Sequence, residues 1–133
     1  MVDEAYGEFT EADSARTLLD DRDDVAVLRT FSKASGLAGV RLGYALTPPE
    51  WADAYSRVNT PFAASELACP AGLAALEDDE HLTESVETVR WARSYLREEL
   101  AVPTWPSGGN FVLADVADVT ADSIPGESTA DDS

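Results

Sequence analysis

The feature that most limits the possible folds is the run 25–31, VAVLRTF, which is rich in β-forming residues and almost continuously apolar. A strand that is apolar along its whole length has both faces covered, as in a parallel sheet with helices on either side. A loop with glycines at 36, 39 and 43 follows, and the segment 40–46, VRLGYAL, predicts another strand. These patterns predict an α/β fold with a parallel or mixed sheet.

Helices are predicted after this sheet. The segment 49–58 follows Pro48 and begins with a proline, which suits the first turn of a helix. A second helix is expected over 66–76 with Ser65 as its N-cap. Near-helical spacing of apolar residues predicts a third helix over 80–100; these are Leu82, Val86, Val89, Leu96 and Leu100.

The remaining segments are shorter. The stretch SARTLL, within the polar region 10–23, predicts a short helix, and NFVLADV at 110–116 predicts a short strand. Val2 lies directly before DEAYGEF, so the chain is expected to begin at the end of a strand. The strands are too few for a complete doubly wound sheet, and the sequence therefore predicts a partial domain. Residues 117–133 are acidic and without periodicity, and we expect disorder there.

Composition excludes some classes of function. The chain of 133 residues has 26 acidic and 9 basic residues, a net charge of −17, which argues against a nucleic-acid-binding domain. Acids with arginine in place of lysine resemble the surfaces of proteins from salt-loving microbes; the alternative is that the acids serve a partner site. Signal peptide and membrane span are not recognisable, and a single cysteine, Cys69, also fits the cytoplasm. His81 has no Cys or His partner for a metal site.

Lys33 is the only lysine in the sequence. A lysine amine that is partly deprotonated is a nucleophile, and its characteristic use is an imine with a carbonyl group. Pyridoxal phosphate supplies such a carbonyl and needs phosphate donors and a carboxylate for its ring nitrogen. Thr30 and Ser32 lie beside Lys33, and Arg41 follows eight residues later. The glycines of the loop would let Arg41 fold back toward the phosphate that Ser32 binds.

A carboxylate and a phenol occur upstream of this lysine. Asp3 and Tyr6 precede Lys33 by thirty and twenty-seven residues, at the expected end of the preceding strand. One crossover connection would place the carboxyl ends of both strands at the same crevice, where α/β sheets bind ligands. The sequence therefore predicts that Asp3, Tyr6 and Lys33 share one site.

The motifs DEAYGEF, TFSKASGLAGVRLGY and SGGNFVL, at these spacings, resemble the class I/II aminotransferases of pyridoxal-phosphate fold type I. The histidinol-phosphate aminotransferase branch is the most similar one, and the resemblance covers residues 1–116. It implies that residues 1–80 are part of the cofactor-binding large domain. It also implies that residues 81–116 form the linking helix and first strand of a small domain.

The resemblance also assigns roles. Lys33 would be the catalytic, Schiff-base lysine and would move the α-proton of the substrate. Asp3 would hold the ring nitrogen of pyridoxal phosphate, and Tyr6 would bond the ring hydroxyl. Ser32 and Arg41, together with Thr30, would hold the phosphate. The substrates would be an amino donor and a 2-oxo acid, and the full-length family implies a homodimer.

Other interpretations remain open on the sequence. The chain could derive from another fold type I enzyme, such as an aromatic or aspartate aminotransferase or a threonine-phosphate decarboxylase, or be a non-catalytic remnant. Lys33 could be a solvated loop residue, Asp3 an exposed acid and Tyr6 a packing residue. The family also has segments before Asp3 and an arginine after NFVL that this sequence lacks, so we expect the isolated chain not to turn over substrate.

Overall fold

The computed structural model describes residues 1–116 and contains a three-stranded mixed sheet in the order β1–β2–β3. Strand β1 is Val2–Asp3, β2 is Val27–Thr30 and β3 is Gly43–Leu46. Strand β1 runs parallel to β2, and β3 runs antiparallel to β2. The expected α/β class and the mixed sheet are confirmed.

The hairpin between β2 and β3 depends on a close backbone approach at Gly43. Gly43 lies opposite Thr30, and a Cβ atom added at Gly43 would lie 2.9 Å from the carbonyl oxygen of Arg29. A side chain at this position would therefore push the two strands apart. The strand begins later than the predicted residue 40 because residues Ala38–Val40 form a short 3-10 helix.

The crossover from β1 to β2 contains two 3-10 helices, Gly7–Phe9 and Ala15–Asp20. Ser14 caps the second one, since its side chain accepts a hydrogen bond from the amide of Arg16. The predicted helix over SARTLL is thus present in the tighter 3-10 form. The crossover returns the chain so that β2 lies beside β1 in the same direction.

Three α-helices follow: α1 is Pro49–Val58, α2 is Ala68–Glu77 and α3 is Asp79–Glu99. The predicted N-cap at Ser65 is wrong. Leu67 occupies the cap position of α2 without a side-chain hydrogen bond, because residues 65–68 form a turn in which the carbonyl of Ser65 accepts from the amide of Ala68. The first turn of α3 is capped by Asp78.

A second sheet follows α3. Strand β4, Thr104–Trp105, pairs antiparallel with β5, Leu113–Ala114. Strand β5 lies within the predicted strand 110–116, whereas β4 was not predicted, because the prolines on both sides of it indicated a break. The predicted disorder of 117–133 lies outside the described residues.

The core is small and lies mainly in the first part of the chain. Among the described residues, the buried apolar side chains are Phe9, Val25, Ala26, Val27, Phe31, Ala34 and Ala68. Helix α1 has no buried residue. None of the helices in residues 1–116 combines the length and the apolar character that crossing a membrane would require.

Candidate cofactor-binding site

The candidate site lies at the edge of the sheet where the two parallel strands end. Asp3 is the last residue of β1, Thr30 is the last residue of β2, and Asp3 is opposite Leu28. Because parallel strands end at the same edge, the segments after Asp3 and after Thr30 emerge side by side. Tyr6 lies on the first segment and Lys33 on the second.

Lys33 and Tyr6 are in contact at this edge. The Nζ atom of Lys33 lies 5.0 Å from the centroid of the Tyr6 ring, within the range of a cation–π interaction. Phe111, which lies just before β5, packs against the Tyr6 ring in a T-shaped arrangement, with ring centroids 5.5 Å apart and an interplanar angle of 81°. The lysine is therefore held at an aromatic pair contributed by two distant parts of the chain.

Hydrogen bonds of the Thr30 side chain and of the backbone fix the loop that carries Lys33. The Thr30 hydroxyl accepts from the amide of Ser32 at 3.1 Å and donates to the carbonyl of Leu42 at 3.4 Å. The carbonyl of Lys33 accepts from the amide of Gly36, whose φ of +70° favours glycine. The side chain of Ser32 makes no hydrogen bond to residues 1–116.

Asp3 and Arg41 occupy less enclosed positions. A carboxylate oxygen of Asp3 accepts from the amide of Ala5 at 2.9 Å, and the residue is exposed. Arg41 is exposed, has φ of 59°, and donates from its guanidinium to the carbonyl of Ala38 at 2.8 Å. Within the described part of the chain, no hydrogen bond joins Arg41 to Ser32.

Sequence reasoning missed an ionic cluster next to this site, which we call the Arg29 cluster: Arg29, Glu4, Glu8 and Ser14. The guanidinium of Arg29 lies 2.6 Å from a Glu4 carboxylate oxygen and 2.9 Å from one of Glu8. It also donates to the Ser14 hydroxyl, which in turn donates to Glu4. The available signal was a charged residue inside an otherwise apolar strand, since a buried charge requires a partner.

Burial and hydrogen bonding act in opposite directions on this cluster. Burial raises the pKa of Glu4, but hydrogen bonds from the Ala15 amide, Ser14 and Arg29 together lower that pKa below its usual value. For Arg29, burial lowers the pKa, and the hydrogen bonds to Glu4 and Glu8 outweigh this and raise it. Both groups therefore stay ionised near neutral pH.

The motifs that carry this geometry have counterparts in known proteins. Residues 1–124 match the family described as aminotransferase class I and II. This chain belongs to that family. The aminotransferase chain is 70% identical over 121 residues to a histidinol-phosphate aminotransferase of Haloarcula marismortui, which covers 91% of this chain and 34% of the relative. A histidinol-phosphate aminotransferase of Haloferax volcanii is 67% identical over 121 residues, with 91% and 34% covered.

A solved structure shows the same partial match. The histidinol-phosphate aminotransferase of Sinorhizobium meliloti, solved with pyridoxal-5'-phosphate, has a TM-score of 0.78 and 35% identity over 86% of this aminotransferase chain and 33% of its own. The chain thus spans about a third of the length of the curated relatives it matches. The two relatives from Haloarcula marismortui and Haloferax volcanii come from halophilic archaea, which supports the interpretation of the acidic composition as an adaptation to salt.

Proposed function

We propose that this chain supplies part of the pyridoxal-phosphate site of a histidinol-phosphate aminotransferase, with Lys33 as the residue that binds the cofactor covalently. The observation that carries the proposal is the 5.0 Å contact between the only lysine and Tyr6 at the strand edge that Asp3 also occupies. The names of the relatives support the substrate, and the bound cofactor in the Sinorhizobium meliloti structure supports the cofactor.

The residues present fit the requirements of pyridoxal phosphate. The Ser32 side chain makes no hydrogen bond to residues 1–116, so it can donate to a phosphate oxygen, and Arg41 supplies a cation on the same loop. Arg41 has a left-handed backbone, a conformation that costs about 1–3 kcal/mol for a non-glycine residue and is concentrated at functional sites. We assign Thr30 a supporting role at the phosphate, because its hydroxyl already holds the amide of Ser32.

The two upstream residues fit the ring of the cofactor. Asp3 offers a carboxylate for the ring nitrogen, and Tyr6 offers a phenol hydroxyl for the ring oxygen. When bound, the cofactor supplies an electron sink for the chemistry at the substrate α-carbon. Lys33 provides the attachment point and, at Nζ, the group that takes and returns the substrate proton. Its contact with the Tyr6 ring keeps Nζ at the edge of the sheet.

The wider assignment follows the relatives. We propose histidinol phosphate as the amino donor class and a 2-oxo acid as acceptor, with transfer taking place in a cytoplasmic homodimer. We propose the division into residues 1–80, as part of the large domain, and 81–116, as the link to the small domain. Helix α3 begins at Asp79, so this boundary falls in its first turn.

The single lysine allows a direct test of cofactor attachment. We expect that incubation with pyridoxal phosphate and reduction with borohydride will label Lys33, as mapped by mass spectrometry, with saturation as the cofactor concentration rises. Lys33→Arg keeps the charge and is the matched control; it should lose the saturable label. The amino terminus is the internal reference for unspecific reaction. Label at the amino terminus alone would contradict the proposal.

A further inference from the structure

The Arg29 cluster lies between the two segments that carry the candidate site. Glu4 follows Asp3 directly, and Glu8 lies two residues after Tyr6. Arg29, which binds both carboxylates, lies on β2 four residues before Lys33. One guanidinium thus connects the segment after β1 with the strand that leads into the lysine loop.

The cluster is well enclosed. The side chains of Arg29, Glu4 and Glu8 are 19%, 11% and 20% exposed. A Cβ atom added at Gly7 would lie 3.5 Å from the Arg29 Cζ atom and 3.3 Å from the Glu4 Cβ atom, so the guanidinium packs directly against the turn next to Tyr6. Salt screens such a partly buried pair much less than an exposed one.

The guanidinium is held by its two carboxylates even though one of its donors has no partner. The Nε atom of Arg29 is buried and has no hydrogen-bond partner within residues 1–116. An unpaired buried donor is unfavourable, so the other contacts must offset it. The bonds to Glu4, Glu8 and Ser14 do so, and they fix three points of the segment 4–14 relative to β2.

We infer that Arg29 is a positioning residue for cofactor binding: through Glu4 and Glu8 it holds Asp3 and Tyr6 in register with Lys33. The inference rests on the proposed function, because it assigns a purpose to the register of those three residues. Within residues 1–116, Arg29 itself makes no hydrogen bond to Lys33 or to Tyr6. Its effect is carried by the backbone of residues 3–8.

The first measurement needs no cofactor. Hydrogen–deuterium exchange of the peptide covering residues 3–9 is compared, in molar KCl, between the wild-type chain and Arg29→Met. The controls are Arg57→Met, which removes an exposed ion pair on α1, and Val27→Ala, which weakens the core beside the cluster. We expect faster exchange in Arg29→Met than in Val27→Ala when both are compared at equal distance from their urea midpoints. Equal exchange in these two variants would overturn the inference.

The second measurement uses pyridoxal phosphate and the borohydride label at Lys33. We expect the half-saturating concentration to rise about tenfold in Arg29→Met and about threefold in Glu8→Gln, since each loses charged hydrogen bonds that hold the segment carrying Tyr6. Arg29→Lys keeps the charge but loses the planar guanidinium that binds two carboxylates at once. Its half-saturating concentration should fall between those of wild type and Arg29→Met. Arg57→Met should match wild type. Half-saturation in Arg29→Met equal to that in Val27→Ala would show a purely structural role and overturn the inference.

The two measurements separate the inference from the proposed function. If the wild-type chain shows no saturable label at Lys33, the proposed function fails, and the exchange of residues 3–9 still decides whether Arg29 holds the segment. Glu8→Gln removes only one carboxylate charge, so it provides a second readout if Arg29→Met does not fold. Unchanged exchange and unchanged half-saturation in Glu8→Gln would then overturn the inference.

Discussion

The segment 1–46 and the segment 49–62, which contains α1, differ in how their apolar residues are used. In the first, Phe9 and Val27 are 2% and 0% exposed, and ion pairs of Arg29 with Glu4 and Glu8 join β2 to the crossover. In the second, Val58 and Phe62 are 79% and 99% exposed, and α1 has no buried residue. The predicted site residues lie on the first segment, so their geometry depends on the buried contacts of that segment.

The second segment shows that a helix can form without burial. Helix α1 has a proline at its first turn and an ion pair between Arg57 and Asp53 at 2.6 Å, four residues apart. Both are local features, and each contributes little on its own. The difference teaches that local signals define α1, whereas long-range contacts define the region that carries Lys33.

The largest expected difference between the two segments is in core truncation. Phe9→Ala should lower the free energy of unfolding by about 3–5 kcal/mol, because it removes a buried ring and leaves a cavity. Phe62→Ala should change it by no more than about 0.5 kcal/mol, because that ring is almost fully exposed. Urea unfolding in molar KCl measures both. Similar losses in the two variants would show that the segments are stabilised alike.

A smaller difference is expected between two glycines of the loop region. Gly43→Ala should lower the free energy of unfolding by about 1–3 kcal/mol, because the new Cβ atom would approach the Arg29 carbonyl oxygen to 2.9 Å. Gly39→Ala is the matched control, since a Cβ atom there meets nothing within 4 Å. Thermal unfolding of both variants checks this. A loss in Gly39→Ala as large as in Gly43→Ala would contradict the backbone contact.

The sequence was sufficient where local patterns decide the structure. The run 25–31 predicted β2, the prolines at 48 and 49 predicted the start of α1, and the motif spacing predicted that Tyr6 and Lys33 share one edge. Strand β4 was missed because its two residues form a strand only by pairing with β5. Pairing between distant segments leaves no periodic signal in so short an element.

The site itself was predicted only in part. Lys33 and Tyr6 lie at one strand edge as expected. The roles of all the predicted site residues stay predictions; these are Asp3, Tyr6, Thr30, Ser32, Lys33 and Arg41. The partners of Arg29 could not be read from its position, because Glu4 and Glu8 were two of 26 acidic residues. Only the fold shows which of those acids face the partly buried Arg29.

The smallest expected effect is a pH dependence that distinguishes the Arg29 cluster from the exposed pair of α1. The pKa of Glu4 is lowered from 4.5 in the folded chain, so below pH 4.5 the unfolded chain takes up the proton first and stability falls. Glu4→Gln should therefore lose stability less steeply than wild type below pH 4.5, by at most about 1.4 kcal/mol per pH unit.

Urea midpoints measured over this acidic range test the prediction. Asp53→Asn is the matched control, because molar KCl screens its exposed pair with Arg57 and the profile should follow that of the wild type. Parallel profiles of stability against pH for wild type and Glu4→Gln would show that folding does not lower the pKa of Glu4.

The contact between Tyr6 and Phe111 also has a consequence for the order of events during synthesis. The two rings are 105 positions apart in the chain, so a ribosome delivers Tyr6 and Lys33 long before the phenylalanine that packs against the Tyr6 ring. Closing so long a loop is entropically costly and delays contacts of this kind relative to local helices. The nascent chain therefore carries its lysine beside an uncovered tyrosine face until β4 and β5 have been made.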